Sequence, residues 1–363
     1  MSHILHRTSM TCDILVHVMC LSFICYLPFR WNALYLYPAC ICYLTYHIHP
    51  HSLPRQIKMP RHNINFKTPL KEIPEAEIKR TLNIPNHTGG FGDIWQCIWS
   101  TPSGNPPVTV AIKAVRVLDA SETALLAKAA RDLRREAHVW ANLKDEHILS
   151  LHGITTGFSH LPAFISSWMT KGSLDSYLSK QQIPLSTFQK LDMSRQIASG
   201  LKYLHEKGIV HGDLTPNNVL INSDDKLCLA DFGLSMILAE SGNPTFNSCH
   251  GGNVRWMAPE MVALPDLEQE EGTKPIKPTN SADVYSHGCI VLQLLCGQQP
   301  YYSLVQAFHV IAAILGGRKP FRQLAGIDEG HKQYWLKCLS TNSNARPKVQ
   351  EIVAFIEAEL QKL

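Results

Sequence analysis

Two polar motifs in the second half of the chain stand at a spacing that constrains the fold more than any other feature. The first runs from His211 to Asn218 and reads His-Gly-Asp-Leu-Thr-Pro-Asn-Asn. The second, Asp-Phe-Gly, begins at Asp231, 13 residues after Asn218. A lone Asp-Phe-Gly is a common turn, but this spacing is not expected by chance. Two apolar runs typical of short strands lie between the motifs, Val219-Leu220-Ile221 and Leu227-Cys228-Leu229.

The polar residues of these motifs suit the transfer of a phosphoryl group. That reaction needs positioning, neutralisation of charge by a metal ion, and an acceptor for the hydroxyl proton. Asp213 can orient and deprotonate a hydroxyl group. Asn218 and Asp231 supply the hard oxygen ligands that Mg²⁺ prefers alongside phosphate. We therefore expect a catalytic base at Asp213 and a magnesium site at Asn218 and Asp231.

A glycine-rich segment and a lysine precede these motifs. In the segment from Thr88 to Ile94, three glycines would let backbone N–H groups approach phosphates closely: Gly89, Gly90 and Gly92. Taken alone, the segment is equally well explained as a β-turn. The run from Val110 to Lys113 ends 21 residues after Gly92 and suits a buried strand that delivers an ammonium group to phosphates. Without that context, Lys113 would be a solvated lysine at a strand end.

Residues 129 to 143 have the periodicity of an amphipathic helix. Apolar residues recur there at intervals of three and four, at Leu133, Ala137, Trp140 and Ala141. Glu136 lies beside this stripe, and by itself it would be a surface carboxylate because arginines flank it on one side. Opposite Lys113, Glu136 becomes the partner that holds the lysine in place.

The order of these motifs resembles that of a eukaryotic protein kinase domain over residues 82 to 361. In that family Lys113 and Glu136 correspond to the strand-three lysine and its helix partner. Further segments match in the family order, namely Arg255 to Glu260, Asp283 to Gly288, and Arg346. The resemblance implies an enzyme that transfers the γ-phosphate of ATP, with Mg²⁺, to a hydroxyl group of a protein substrate.

The resemblance also places the adenine site. Residues 164 to 172 look like strand five and the hinge between two lobes, so backbone groups near Ser167 and Met169 would bind the adenine edge. Its ring would lie between three apolar side chains, Ile94, Ala111 and Leu220. Ser166 would be a small gatekeeper. Four residues resemble the stacked apolar spine of the family and are expected to serve packing, namely Trp140, Leu151, His211 and Phe232.

Four positions depart from the family pattern. His87 stands where the first loop glycine is usual, and Gly212 replaces the arginine before the catalytic aspartate. Thr215 replaces the lysine that neutralises the γ-phosphate in Ser/Thr kinases, and Asn253 replaces a threonine that steadies the catalytic aspartate. A cation that replaces the missing lysine would come from elsewhere, such as Lys171 or Arg255. The alternative function is a pseudokinase that acts as a nucleotide-binding scaffold.

The class of acceptor follows from local sequence. Pro216 after Asp213-Leu214 resembles the Ser/Thr pattern, and no proline occurs from Gly252 to Met257, where tyrosine kinases usually carry one. The string from Arg255 to Glu260 resembles the tyrosine-kinase-like group, most of whose members act on Ser or Thr. We expect a Ser/Thr kinase, with tyrosine as the alternative acceptor.

The predicted fold is α+β and bilobal. A small lobe of five antiparallel strands with one helix spans about 82 to 166, and a mainly helical lobe spans about 170 to 361. Arg346 is expected to form an ion pair with Glu260. From Glu260 to Asp283 the chain is about twice as long as the family needs. This insertion is expected to be a solvated loop, with a docking segment for basic partners as the alternative.

Residues 1 to 62 form an apolar leader, and residues 63 to 81 read as a linker with a short helix. The leader's two apolar stretches, Ile14 to Phe29 and Ala33 to Tyr46, are both shorter than the roughly 20 residues that span a bilayer. We expect the leader to be poorly structured, with a weak membrane anchor as the alternative and the kinase region in the cytosol. The net charge of +4 is too small to indicate a nucleic-acid partner. The 11 cysteines include no Cys-x-x-Cys pair and are expected to be reduced thiols of an intracellular protein.

Overall fold

The small lobe is built on an antiparallel sheet whose strands alternate between two environments. In the computed structural model this sheet contains β1 (Ile78–Arg80), β2 (His87–Thr88), β3 (Gly92–Trp99), β4 (Val108–Val115), β5 (Leu151–Thr155) and β6 (Ala163–Ser167). The strand order is β1-β3-β4-β6-β5, and β2 also pairs with β3. Along β4, Val110, Ile112 and Ala114 are buried, whereas Ala111 and Lys113 point to the other face and are half-buried.

Helix α1 (Thr123–Ala141) packs against this sheet through the stripe that the sequence predicts. Ala129, Leu133, Ala137 and Trp140 are buried at intervals of four, four and three residues, which place them on one face. The helix begins six residues before the predicted start. Glu136 lies on the same helix and is also buried.

The large lobe is mainly helical. Its helices among the described residues are α2 (Leu174–Lys180), α3 (Thr187–Glu206), α4 (Pro259–Val262), α5 (Asn280–Cys296), α6 (Ala307–Leu315), α7 (Glu329–Cys338) and α8 (Val349–Leu360). Helix α5 is buried on every side from Ala282 to Leu294, and it packs against α3 and α7. A helix that is enclosed on all sides in this way forms the centre of its lobe.

A second, small antiparallel sheet carries the central motifs. It consists of β7 (Gly172–Ser173), β8 (Val219–Ile221) and β9 (Leu227–Leu229), in that order. Strands β8 and β9 coincide with the two predicted apolar runs. The bilobal α+β fold is therefore confirmed.

The small-lobe sheet differs from the expected five strands because its first strand is broken into β1 and β2. Strand β1 and the buried Ile73 also lie before residue 82, within the segment interpreted as a linker. Ile73 donates its backbone N–H to the carbonyl of Ile154, so this segment follows the edge of β5. Isolated apolar residues in a polar stretch have no periodicity from which such an extension could be predicted.

The structure describes residues 69–89, 92–101, 104–116, 123–181, 184–232, 254–262, 277–322, 324 and 326–363. The leader, Gly90, Gly233, Asn253 and most of the insertion after Glu260 lie outside these residues. Within them, no helix is long and apolar enough to cross a bilayer. The five cysteines that fall within them are unpaired thiols.

Candidate active site

The segment before β8 holds the predicted base and one predicted magnesium ligand together. Pro216 starts a short 3-10 turn that ends at Asn218, and its fixed φ suits that first position. The Asn218 amide donates from Nδ2 to the backbone carbonyl of Asp213 at 2.7 Å and to its Oδ2 at 3.1 Å. These bonds fix the orientation of the Asp213 carboxylate. They use only Nδ2 of Asn218, so Oδ1 of Asn218 is the side-chain atom that could bind a metal ion.

Lys113 and Asp231 meet in the cleft between the lobes. The Lys113 ammonium lies 2.6 Å from Asp231 Oδ1, and the lysine side chain is 12% exposed. Asp231 has a φ of 60°, a left-handed conformation that costs a non-glycine residue free energy. The backbone N–H of the preceding Ala230 donates to the carbonyl of Asn218 at 2.9 Å. The two predicted magnesium ligands are therefore linked through the backbone.

The expected ion pair between Lys113 and Glu136 is absent from this conformation of the described residues. The lysine pairs with Asp231 instead. Glu136 is 7% exposed, and burial, partly offset by Arg135, raises the pKa of its carboxyl to about 7. Because the lysine pairs with Asp231, the burial of this carboxyl is only partly offset and its pKa stays raised.

One face of the small-lobe sheet carries Lys113 and two of the predicted adenine contacts. In the β-sheet register Ile94 lies opposite Lys113, and Ser166 lies opposite Ala111. Because residues opposite each other in an antiparallel pair share a face, Ile94 and Ala111 lie on the same side as Lys113. Two of the three side chains expected around an adenine ring therefore share one face of the sheet with Lys113.

The remaining predicted nucleotide contacts lie on both sides of the hinge. Ser167 ends β6, and its hydroxyl lies 3.1 Å from Nε2 of His152. Met169 is buried, and its carbonyl accepts from Gly172 N–H at 3.0 Å. Leu220 lies half-buried on β8 in the large lobe. Gly89 donates to the Gly92 carbonyl at 3.0 Å, which closes the glycine-rich turn.

Aromatic rings connect the two lobes behind the polar site. Phe232 lies between the rings of Trp140 and His211, with centroid distances of 5.7 and 6.3 Å. All three residues are buried, as is Leu151. The prediction that these residues serve packing is confirmed. Burial lowers the pKa of His211 below its usual range, so its ring is neutral near pH 7.

Asp283 positions the segment before Asp213, a role that the sequence analysis missed. Its carboxylate accepts backbone N–H groups from His211 and Gly212, both at 2.9 Å, and it lies 2.8 Å from Nε2 of His205. Gly212 has a φ of 78°, which glycine adopts without the strain that a Cβ atom causes. The one sequence feature that could have indicated this role is the position of Asp283, a single carboxylate at the start of the long, mainly apolar run that forms α5.

The two cations suggested as replacements for the missing lysine are engaged elsewhere. Lys171 pairs with Asp225 at 2.6 Å. Arg255 donates to four backbone carbonyls between residues 300 and 305. That suggestion is therefore wrong. Thr215 itself is 1% exposed, and its hydroxyl makes no hydrogen bond within the described part of the chain.

The donor set fits a magnesium ion. Asp231 provides a carboxylate that already holds a cation, the Lys113 ammonium, at 2.6 Å. Asn218 provides an amide oxygen whose orientation is fixed because Nδ2 is bonded to Asp213. Oxygen ligands of this kind, completed by phosphate and water, are those that Mg²⁺ takes in nucleotide sites.

A bilobal fold with these polar groups in its cleft has the arrangement of a protein kinase, and comparisons with known proteins agree. Residues 84–356 match the family described as protein tyrosine and serine/threonine kinase. The chain is 31% identical over 257 residues to ephrin type-A receptor 5 of Gallus gallus, covering 70% of this chain and 23% of that protein. It is 32% identical over 271 residues to ephrin type-B receptor 1 of Gallus gallus, covering 73% and 25%.

The chain therefore belongs to the protein kinase family. It spans about a quarter of the length of these curated relatives.

Proposed function

We propose that this protein transfers the γ-phosphate of ATP to serine or threonine hydroxyl groups of protein substrates. The observation that carries the proposal is the continuous set of contacts from Asp213 through Asn218 to Asp231 and Lys113. A base, two oxygen ligands and an ammonium group thereby meet in one cleft.

Each side chain has a distinct role in this proposal. Asp213, fixed by Asn218, accepts the proton of the substrate hydroxyl. Lys113 holds phosphate oxygens once nucleotide competes for its ammonium, and Glu136 then becomes its carboxylate partner. Asn218 and Asp231 hold Mg²⁺, which neutralises charge on the transferred phosphoryl group. Backbone groups at Ser167 and Met169 bind the adenine edge, with Ile94, Ala111 and Leu220 on its faces and Gly89, Gly90 and Gly92 over the phosphates.

The choice of serine or threonine rests on the segment around the base. Pro216 follows Asp213 by three residues, a pattern that resembles Ser/Thr kinases, and Pro216 is buried where it starts the turn that orients Asn218. The matched family includes kinases of both acceptor classes. Tyrosine is accordingly the second candidate acceptor.

The proposed setting is the cytosol, where ATP is available. A leader of two short apolar runs precedes the catalytic region, and basic residues follow it. Basic residues on that side favour a cytosolic catalytic region even if the leader contacts a membrane. We expect the region from Met59 onward to retain kinase activity without the leader.

Phosphorylation of peptide libraries with serine, threonine or tyrosine at a fixed position tests activity and acceptor class together. Lys113→Met and Asp231→Asn are each expected to reduce phosphate incorporation at least about a hundredfold, because the first removes the ammonium that holds phosphate oxygens and the second weakens the hold on Mg²⁺. Lys226→Met is the matched control, since Lys226 pairs with Glu146 on the exposed surface.

Retained activity in Lys113→Met or Asp231→Asn would contradict the site assignment, provided that thermal unfolding shows both variants to be folded. If the wild-type chain binds ATP without transferring phosphate to any library, it is a scaffold rather than an enzyme. Transfer to tyrosine alone would show that the proposed acceptor is wrong, while the roles assigned to the site residues would stand.

A further inference from the structure

Helix α6 is apolar on the side that faces solvent as well as on the side that faces the core. Its inner face buries Val310 and Ile314 in a small cluster with Val254 and Tyr301. Its outer face carries Phe308, which is 62% exposed, and Leu315, which is 50% exposed. These two residues are seven apart, so they lie on one face of the helix about 10 Å from each other.

The segment before α6 extends this apolar surface. Val305 is 83% exposed and Tyr302 is 50% exposed. Nine large apolar side chains are exposed among the described residues, and four of them fall between residues 302 and 315. Single exposed apolar residues need no explanation, but four within 14 residues are typical of a surface that contacts another molecule. We call Tyr302, Val305, Phe308 and Leu315 the α6 face.

A cavity of about 530 Å³ lies at the carboxyl end of α6. Ile314 and Gly317 form its α6 side, Lys337 of α7 forms another wall, and Pro259 and Tyr285 contribute from α4 and α5. Its volume falls within the range of sites that hold ligands. The cavity lies in the large lobe, away from Lys113 and Asp213, so the proposed phosphoryl transfer does not use it.

The charge of the cavity has one sign. Arg318, Lys319 and Lys337 line it, and none of the described residues that line it is an aspartate or glutamate. Arg318 is held in place, because its guanidinium donates to the Ser303 hydroxyl at 3.2 Å and its carbonyl accepts from the Tyr301 hydroxyl. A concave site with three cations and no described acid favours an anionic group.

The wall that joins the α6 face to the cavity is rigid. Tyr301 adopts a φ of 54°, and its backbone N–H donates to the Pro320 carbonyl at 2.7 Å. Arg255 binds the carbonyls of Pro300, Tyr301, Leu304 and Val305 from below. A strained residue that is held by its surroundings in this way is typical of functional sites. The apolar face and the cationic cavity therefore keep a fixed spacing.

We propose that the α6 face and this cavity form one docking site for a partner protein. The partner presents a short segment in which apolar side chains contact Phe308 and Leu315 and following carboxylates enter the cavity at Arg318, Lys319 and Lys337. The three cations of the cavity require a partner segment with an acidic end, by charge complementarity. The exposed α6 face requires an apolar stretch at the other end of that segment. The site goes beyond phosphoryl transfer, and its occupancy is measured without ATP.

Selection of displayed random nine-residue peptides on the immobilised full chain tests the site without a known partner. The enriched peptides are expected to combine aromatic or large aliphatic residues with a following cluster of aspartate or glutamate. A fluorescein-labelled member of the enriched set then gives affinities by fluorescence anisotropy. Phe308→Asp and Lys319→Glu are each expected to weaken its binding at least about tenfold.

Two matched substitutions at exposed positions outside the site serve as controls. Phe188→Asp, at a phenylalanine that is 55% exposed on α3, and Lys180→Glu, at the end of α2, are expected to change affinity less than about twofold. Replacement of the peptide's carboxylates by amides is expected to reproduce the loss seen in Lys319→Glu. If Phe308→Asp does not fold, Phe308→Ser takes its place.

The proposal is wrong if no peptide is enriched, if enriched peptides lack acidic residues, or if they bind Phe308→Asp and Lys319→Glu as well as wild type. Sedimentation tests the main competing occupant, a second copy of this chain. A wild-type dimer that Phe308→Asp converts to monomer, with no peptide binding by either, would also overturn the proposal.

Discussion

Thr215 lies in an unexpected environment near the site, because its polar side chain is buried. Its hydroxyl is enclosed, yet it has no hydrogen-bond partner among the described residues, while its backbone carbonyl accepts from Asn218 N–H at 3.0 Å. A buried hydroxyl without a partner destabilises the folded state, because it leaves water without compensation. The backbone at Thr215 is extended, a conformation that β-branched residues favour.

Thr215→Val is therefore expected to raise the free energy of unfolding by about 1 kcal/mol, since it removes the hydroxyl and keeps the shape. Urea denaturation of the nucleotide-free protein measures the change. Thr155→Val is the matched control, because Thr155 is equally buried but its hydroxyl donates to the Thr156 carbonyl. It should give no gain. A loss of stability in Thr215→Val would mean that the hydroxyl has a partner after all.

Local sequence could not reveal the environment of such residues. The types and order of Lys113, Asp213, Asn218 and Asp231 were predictable, because the chemistry of phosphoryl transfer restricts them. The partner of Lys113 was not, since it depends on how α1 lies against the sheet, and burial of Glu136 changes its protonation. The missing hydrogen-bond partner of Thr215 likewise depends on packing between segments that are distant in the sequence, so the residues next to Thr215 do not predict it.

At the scale of elements, the ion pair between Glu260 and Arg346 joins α4 to the segment before α8. Arg346 binds both carboxylate oxygens of Glu260, at 2.6 and 2.8 Å, and also donates to the carbonyls of Ser281 and Ser340. The arginine side chain is fully buried. This pair was expected from the sequence and is confirmed. Two parallel hydrogen bonds of this kind fix the orientation of both groups.

Arg346→Ala should lower the free energy of unfolding by about 3–5 kcal/mol, because it leaves the Glu260 carboxylate and two partly buried carbonyls without their donor. Chemical denaturation checks the value. Arg134→Ala is the matched control, since the pair of Arg134 with Glu72 is largely exposed and should contribute at most about 1 kcal/mol. Equal effects of the two substitutions would show that burial does not determine the strength of the first pair.

Elements with a clear hydrophobic period were predictable, and those defined by long-range contacts were not. Strands β8 and β9 and the stripe of α1 follow directly from their patterns of apolar residues. The extension through Ile73 and β1 was missed because its few apolar residues pair with distant strands. The cavity beside α6 was missed for a related reason: its cations come from two segments, after α6 and within α7, that only the fold brings together.

At the scale of the whole molecule, Glu136 makes the stability of the folded protein depend on pH. It lies on α1 of the small lobe, one turn before Trp140, whose ring contacts Phe232 beside the large lobe. Burial raises the pKa of the Glu136 carboxyl from 4.5 to about 7, so the folded protein binds this proton more tightly than the unfolded chain. The contribution of Glu136 to stability is therefore complete below about pH 4.5, and it is lost as pH rises toward 7.

Glu136→Gln removes this titration while keeping a similar shape. Relative to the variant, the wild type should lose up to about 3 kcal/mol of unfolding free energy between pH 4.5 and pH 8, since each pKa unit corresponds to about 1.4 kcal/mol. Denaturation curves of both proteins across this range give the difference in unfolding free energy at each pH. Other titrating groups, such as His211, contribute equally to both proteins and drop out of this difference. A difference that is independent of pH would show that Glu136 keeps an ordinary pKa, as it would if Lys113 were its partner. If nucleotide replaces Asp231 at Lys113 as proposed, saturating ATP and Mg²⁺ should reduce this pH dependence, because the ionised Glu136 could then pair with the lysine.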